Sequence, residues 1–292
     1  MASSVQFKLL NQPMGKGWLH QKLPLGTRTI LQADWGQGWK ELHQGIVFDW
    51  DYTNDSVGSL TVKAYDMLIY LLRSKDDRYY PKGTRANAII NDIAKAWKIP
   101  VAQMSLPAIS LSKQIFRGDT VAAMIQQVLD QVRDRGGGKF FMRAYGGKIY
   151  VLPQAQNKEV YHFGSNIVSR MSDNQNIEDL VTRVKIIGKE NAAGRAPIVA
   201  TVDGRKEFGV LQDVIYREQY DSVAAAKRAA QEVLKERGSP RRRRSISAPD
   251  VPFLRRGDKV YVAAGTIKGY FAIESITHSA DNREMTMEVS EI

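Results

Sequence analysis

Leu60-Thr61-Val62-Lys63-Ala64-Tyr65-Asp66-Met67-Leu68-Ile69-Tyr70-Leu71 changes its period half-way along. Leu60, Val62 and Ala64 alternate with Thr61 and Lys63, so they share one face of a strand. After Asp66 the apolar residues run together from Met67 to Leu72, and the pattern becomes helical. The chain therefore passes here from a β region into an α region.

Upstream, residues 5–66 read as β. Thr27–Gln32 and Gly45–Trp50 are runs rich in β-branched and aromatic residues, and Gly36, Gly38, Asn54-Asp55 and Gly58 supply turns. Downstream, Thr84 is the expected N-cap of a helix carrying Ile89, Ile90, Ile93, Ala94 and Trp97 at i, i+3, i+4 spacing, stopped by Pro100. A second helix starts near Asp119 or Thr120, with Val121, Met124, Ile125, Val128, Leu129 and Val132 on one face, and Gly136-Gly137-Gly138 ends it. A hairpin follows: Phe140–Tyr145, the Gly146-Gly147 turn, and Lys148–Leu152. Strands return at Leu180–Ile187, Pro197–Val202 and Val210–Tyr216. Ser222 then caps a helix with Val223, Ala226, Ala230, Val233 and Leu234 as its stripe. Three more strands lie near Lys259–Ala263, Tyr270–Ile276 and Glu284–Val289.

The two β ends look alike. Gly45 leads a strand 15 residues before the alternating Leu60, and Gly269 leads one 16 residues before the alternating Met285. The spacing from the preceding glycine differs more: 19 residues for Gly26 to Gly45 against 12 for Gly257 to Gly269. Either these are two ordinary meanders with glycine-led strands, or the chain holds a duplicated small barrel with Gly45 and Gly269 in equivalent places. The second reading gives an α+β fold: two small antiparallel β-barrel domains with an inserted helical α/β unit. Its boundaries are 1–66 for the first barrel part, 67–153 for the inserted unit, and 154–292 for the second barrel region with one helix at about 222–237.

The chemistry is read mostly by exclusion. With no cysteine among 292 residues, disulfides, thiolate metal sites and cysteine nucleophiles are ruled out. His20, His43, His162 and His278 are scattered, and none has a metal-site spacing, so surface or core positions are expected and no metal or cofactor. Asp49, Asp51 and Asp55 lack the glycine and final glutamate of a calcium loop, and Asp76-Asp77 is an isolated acidic pair. Neither a G-x-S-x-G elbow nor a phosphate-binding loop occurs, so no catalytic residue is expected. Residues 1–17 lack the apolar core of a signal peptide, and Met67–Leu72 is too short to cross a bilayer, so no membrane partner is expected.

A net charge of +11 raises the prior for an anionic partner. Arg241, Arg242, Arg243 and Arg244 form one run, with Arg255 and Arg256 close behind, and these six are the candidate partner-facing residues. The run has no interleaved aromatics for base stacking, and alternate residues of a strand point to opposite faces, so nucleic acid is not the expected partner.

The Leu60–Leu71 stretch resembles the V-x-A-Y-D-x-L-x-Y-L passage of the hub proteins of Bacillus PBSX-type defective phages. Those proteins are similar in fold to the baseplate hubs of contractile-tailed phages and to VgrG spike proteins. Gly83–Trp97 matches the helix after that passage, and Leu254–Val260, Gly269–His278 and Met285–Val289 resemble the family's closing strands. The resemblance implies a structural hub, a homotrimer joining the tail tube to the central spike and contacting baseplate wedge proteins. In such machines tubes are six-fold and spikes three-fold. It also implies a virion or phage tail-like particle assembled in the bacterial cytoplasm. Some hubs carry a lysozyme domain, which is not expected here because the last strand reaches Ile292. Two readings stand beside the hub: a tail-associated cell-wall hydrolase and a basic nucleic-acid-binding protein.

Overall fold

Leu60, Val62 and Ala64 are fully buried, as their alternation requires, and they lie in the strand on which the first sheet is built. A computed structural model describes residues 2–34, 36, 38–54, 58–191, 194–219 and 222–292; the Asp55 half of the Asn54-Asp55 turn lies outside them. The chain divides into two units, Met1–Val160 with Val251–Lys259, and Tyr161–Asp250 with Val260–Ile292.

In the first unit β1 (Ser4–Leu10), helix α1 (Leu19–Lys22), β2 (Arg28–Asp34), β3 (Trp39–Thr53) and β4 (Ser59–Tyr65) come in that order along the chain. The four strands form one antiparallel sheet, ordered β1-β4-β3-β2. Asp66 then starts α2 (Leu68–Arg73): its carboxylate accepts from the Leu68 amide (2.9 Å), and its other oxygen accepts from the Ser3 amide (2.9 Å) and hydroxyl (2.6 Å). One buried carboxylate thus joins the start of the helix to the N-terminal strand.

The α/β part that follows contains β5 (Lys75–Tyr80), α3 (Ala86–Ala96), β6 (Val101–Met104), β7 (Gln114–Thr120), α4 (Val121–Val132), β8 (Phe140–Tyr145) and β9 (Lys148–Pro153). Strands β5 and β7 pair, and β6, β9 and β8 form a three-stranded sheet with β6 parallel to β9. Its core takes Ile89, Ile90 and Ile93 from α3 and Met124, Ile125, Val128, Leu129 and Val132 from α4. Thr120 caps α4 through the Ala123 amide (3.2 Å). Thr84 does not cap α3. Its hydroxyl donates back to the Pro81 carbonyl (2.7 Å), and Arg85 takes the N-cap position.

The second unit carries β10 (Tyr161–Gly164), β11 (Arg170–Asn176), β12 (Arg183–Ile187), β13 (Ile198–Asp203), β14 (Gln212–Tyr216), α5 (Val223–Arg237), β15 (Arg241–Pro249), β16 (Lys259–Ala264), β17 (Ile267–Ser279) and β18 (Glu284–Glu291). Six strands form one sheet, ordered β10-β16-β17-β18-β15-β11. A three-stranded sheet, β13-β12-β14, packs Val184 and Ile186 against Ala226 and Ala230 of α5, which Ser222 caps through the Ala225 amide (3.1 Å). Val223 sits outside that stripe, 39% exposed.

Four consecutive strands of the second unit, β15 to β18, adopt the order β15-β18-β17-β16, which is the order β1-β4-β3-β2 of the first unit. The register agrees as well. Leu9, Phe7 and Val5 face Leu60, Val62 and Ala64, while Ala248, Ile246 and Arg244 face Met285, Met287 and Val289. The bulge between Val47 and Asp49 falls opposite Ala64 and Lys63; that between Ile273 and Ser275 falls opposite Val289 and Glu288, the corresponding pair. Bulges are fixed features of a strand pair, so this coincidence sets the alignment: Phe48 corresponds to Glu274, and Gly45 to Phe271. Gly269 lies two residues earlier, which corrects the glycine equivalence read from the sequence.

Candidate assembly surfaces

Strands β15 to β18 are flanked on both sides: β11 pairs with β15 in antiparallel register, and β10 pairs with β16 in parallel register. The equivalent strands β1 and β2 end their sheet, and no strand lies beyond either among the described residues. Strand β2 exposes Ile30 (54%) and Leu31 (42%), and Trp39 (71%) opposes its last residue, Asp34.

The arginine run forms the start of β15. The pleat divides it, with Arg241 and Arg243 on one face and Arg242 and Arg244 on the face that continues into buried Ile246 and Ala248. Asp173 of β11 accepts both arms of Arg242 (2.8 and 2.6 Å) and the Thr266 hydroxyl (3.0 Å), and Arg244 stands 3.7 Å away. The Arg242 pair holds the Asp173 carboxyl down from 3.8 to about 2. Arg244 is 6% exposed, bonds Glu291 (2.5 Å), and lies over the Phe271 ring. Arg241 reaches Asp179 (3.4 Å); no carboxylate pairs with exposed Arg243 among the described residues.

Arg255 also turns inward. Its guanidinium donates to the carbonyls of Pro252, Leu254 (2.8 Å) and Leu42 (3.0 Å), so it fixes the segment Val251–Lys259 within the first unit. In that segment Gly257 has φ +89 and lies against the Phe141 ring, and Asp258 lies near Arg143 (3.6 Å) with its carboxyl pushed up by burial. Arg256 is half-exposed. Of the six arginines only Arg244 is buried; Arg241, Arg242 and Arg243 are exposed, and Arg255 and Arg256 are half-exposed, with Arg255 bonded to carbonyls within the chain.

Nor does the run account for the net charge. The second unit holds 18 of the 42 Lys and Arg and 17 of the 31 Asp and Glu, a balance of +1. Residues 67–153 hold 14 basic and 6 acidic residues, giving +8 of the chain's +11.

The residues considered for chemistry are not brought together. Among the described residues no group of three or more His, Asp or Glu could hold a metal ion. His278 meets Asp250 (2.6 Å), His162 lies beside the Tyr261 ring, His20 meets Asn11, and His43 is held low by burial. Asp49 and Asp51 lie on β3, while Asp55 is outside the described residues. Asp76 pairs with Arg78 (2.7 Å), and Asp77 accepts from the Gly118 amide (2.6 Å). No helix of the described residues is long and apolar enough to cross a membrane. Asp173, the centre of the β11–β15 ion network, was not singled out by sequence. It lies 69 residues from Arg242, and no local pattern signals such a pair.

A family model described as YQBQ-like matches residues 1–290. Two Bacillus subtilis (strain 168) proteins are similar over 256 residues, covering 86% of this chain and 77% of theirs: uncharacterized protein YqbQ at 26% identity and phage-like element PBSX protein XkdQ at 25%. Among solved structures, the 43 kDa tail protein of prophage MuSo2 from Shewanella oneidensis superposes with a TM-score of 0.66 at 14% identity, over 99% of this chain and 90% of that one. The E. coli c3393 protein is described as a component of the type VI secretion system, similar to T4 tail proteins gp27 and gp5. It gives 0.56 at 11% identity, over 100% of this chain and 70% of that one.

Proposed function

The chain belongs to the YQBQ-like family, and from that premise we propose that it is the structural hub of a contractile phage tail or tail-like particle, joining the tail tube to the central spike. One observation carries the reading: a single chain contains the same four-stranded arrangement twice, with matching register and matching bulge. Three copies present six such sheets, so one homotrimeric ring offers a six-fold face to a tube and a three-fold face to a spike. The tail-protein and type VI relatives in structure support the fold that this role needs.

On this reading the protein works through its interfaces and not by catalysis. Its partners are further copies of itself, the tube, the spike and the baseplate wedges, and it resides in the particle after assembly in the cytoplasm. The arginines that reach the surface, Arg241, Arg242, Arg243, Arg255 and Arg256, face acidic neighbours, as does the basic 67–153 region. Deleting the gene from a producing strain tests the role. The account expects no tube-containing tails in the lysate; full-length tails without this protein would refute it.

A further inference from the structure

We infer that the outer edge of β2 is a strand-addition site, completed by an edge strand of the six-stranded sheet in a second copy of this chain. The inference deepens the ring reading and rests on it. Its basis is the internal comparison. The second unit's equivalent of β2 is β16, whose outer edge is covered by Tyr161–Gly164 pairing with Val260–Ala263. The first unit has the same four-stranded arrangement without the cover.

Strand β2 carries little of what keeps an open edge from pairing: its one such feature, the register shift between Leu31 and Gln32, lies beyond Ile30. Arg28 and Asp34 are its only charged residues and stand at its two ends; its interior, Thr29–Ala33, has no lysine, proline or bulky charge. Ile30 and Leu31 are exposed although neighbouring strand residues point to opposite faces. The backbone geometry is suitable. Val47 donates to the Thr27 carbonyl (2.8 Å), and the register runs Arg28 with Ile46, Thr29 with Gly45 and Ile30 with Gln44. Peptide groups alternate in direction along an antiparallel pair, so Thr29 faces β3 while the N–H and C=O of Arg28 and Ile30 point outward to the free edge.

A second copy is the occupant because the chain itself supplies matching ends. The six-stranded sheet ends in β10 and β11, and no strand lies beyond either among the described residues. A heterologous contact between β2 of one copy and an end of the six-stranded sheet in the next, repeated head to tail, closes into a ring in which no β2 edge is left open.

The test uses the full chain, isolated and in assembled particles. Backbone exchange at Ile30 should slow at least tenfold on assembly. Because Ile30's N–H points away from β3, Ile30→Pro should leave the fold intact and block incorporation into particles; Ile30→Lys, which keeps the N–H, should also impair it. The chain has no cysteine, so Ile30→Cys carrying a photoreactive maleimide reports its neighbour uniquely. The expected product has twice the chain's mass and joins position 30 to residues 161–176. Cross-linking to a different protein, or unchanged exchange at Ile30 in particles, overturns this inference. A trimer on the tail axis with β2 unprotected overturns it while leaving the hub reading intact; a subunit away from the axis overturns the hub reading whatever β2 does.

Discussion

Replacing Asp173 with Asn removes the charge on which Arg242, Arg244 and Thr266 converge while keeping the side chain's shape. Asp173 is 9% exposed at its side chain and takes Arg242 in two-pronged geometry. The amide offers an N–H where the carboxylate accepted, and Arg244, 6% exposed, keeps Glu291 as its acidic partner. A drop from 3.8 to about 2 in the carboxyl's pKa corresponds to roughly 2–3 kcal/mol at face value. Arg242 is 36% exposed, so water screens part of that, and about 1–2 kcal/mol is the expected loss. The pKa is depressed in the folded state, so the contribution is complete above the unfolded value of 3.8 and is lost as pH falls towards 2. Roughly half is gone by pH 3. Fluorescence will miss the effect, because all five tryptophans lie between Trp18 and Trp97. Native-state hydrogen exchange at the β11 and β15 amides reads it directly. The variant should exchange faster at pH 7, with the gap to wild type narrowing towards pH 3. Equal protection at pH 7, or a gap that does not change with pH, would refute the network's role.

Val128→Asp puts an unpaired charge at a fully buried position of α4 and should cost about 3–5 kcal/mol; a wild-type melting curve would mean that the α4 stripe is not core. Gly257→Ala is expected to cost about 2–3 kcal/mol, since φ is +89 and the new methyl would stand 2.3 Å from Phe141. Unchanged urea unfolding followed by tryptophan fluorescence would contradict that packing. On a peptidoglycan zymogram the purified protein should leave no cleared band; clearing abolished by one carboxylate substitution would restore the hydrolase reading.

Elements whose signals are local could be read from the sequence. Thr120 and Ser222 cap their helices, and the Ile89–Ile93 and Met124–Val132 stripes are buried. Elements made by distant partners could not. Strand β11, Arg-Met-Ser-Asp-Asn-Gln-Asn, has no apolar alternation and owes its place to cross-strand pairing with the arginines of β15. The arginine run looked like a solvated or partner-facing edge for the same reason, since only pairing with β11 and β18 shows that Arg244 belongs to the interior. Thr84 resembles an N-cap by residue type but stands one residue before the cap position, which Arg85 occupies, and its hydroxyl donates to the Pro81 carbonyl. The repeated four-strand order is visible in the sequence in outline but displaced by two residues at Gly269, because glycines mark strand entries loosely whereas a bulge fixes register.

The central claim is tested most directly by electron microscopy of assembled particles with this subunit located in the map. The account predicts three copies in one ring on the tail axis, their six four-stranded sheets arranged around a central channel between tube and spike. Six copies per ring, or a position away from the axis, would contradict it.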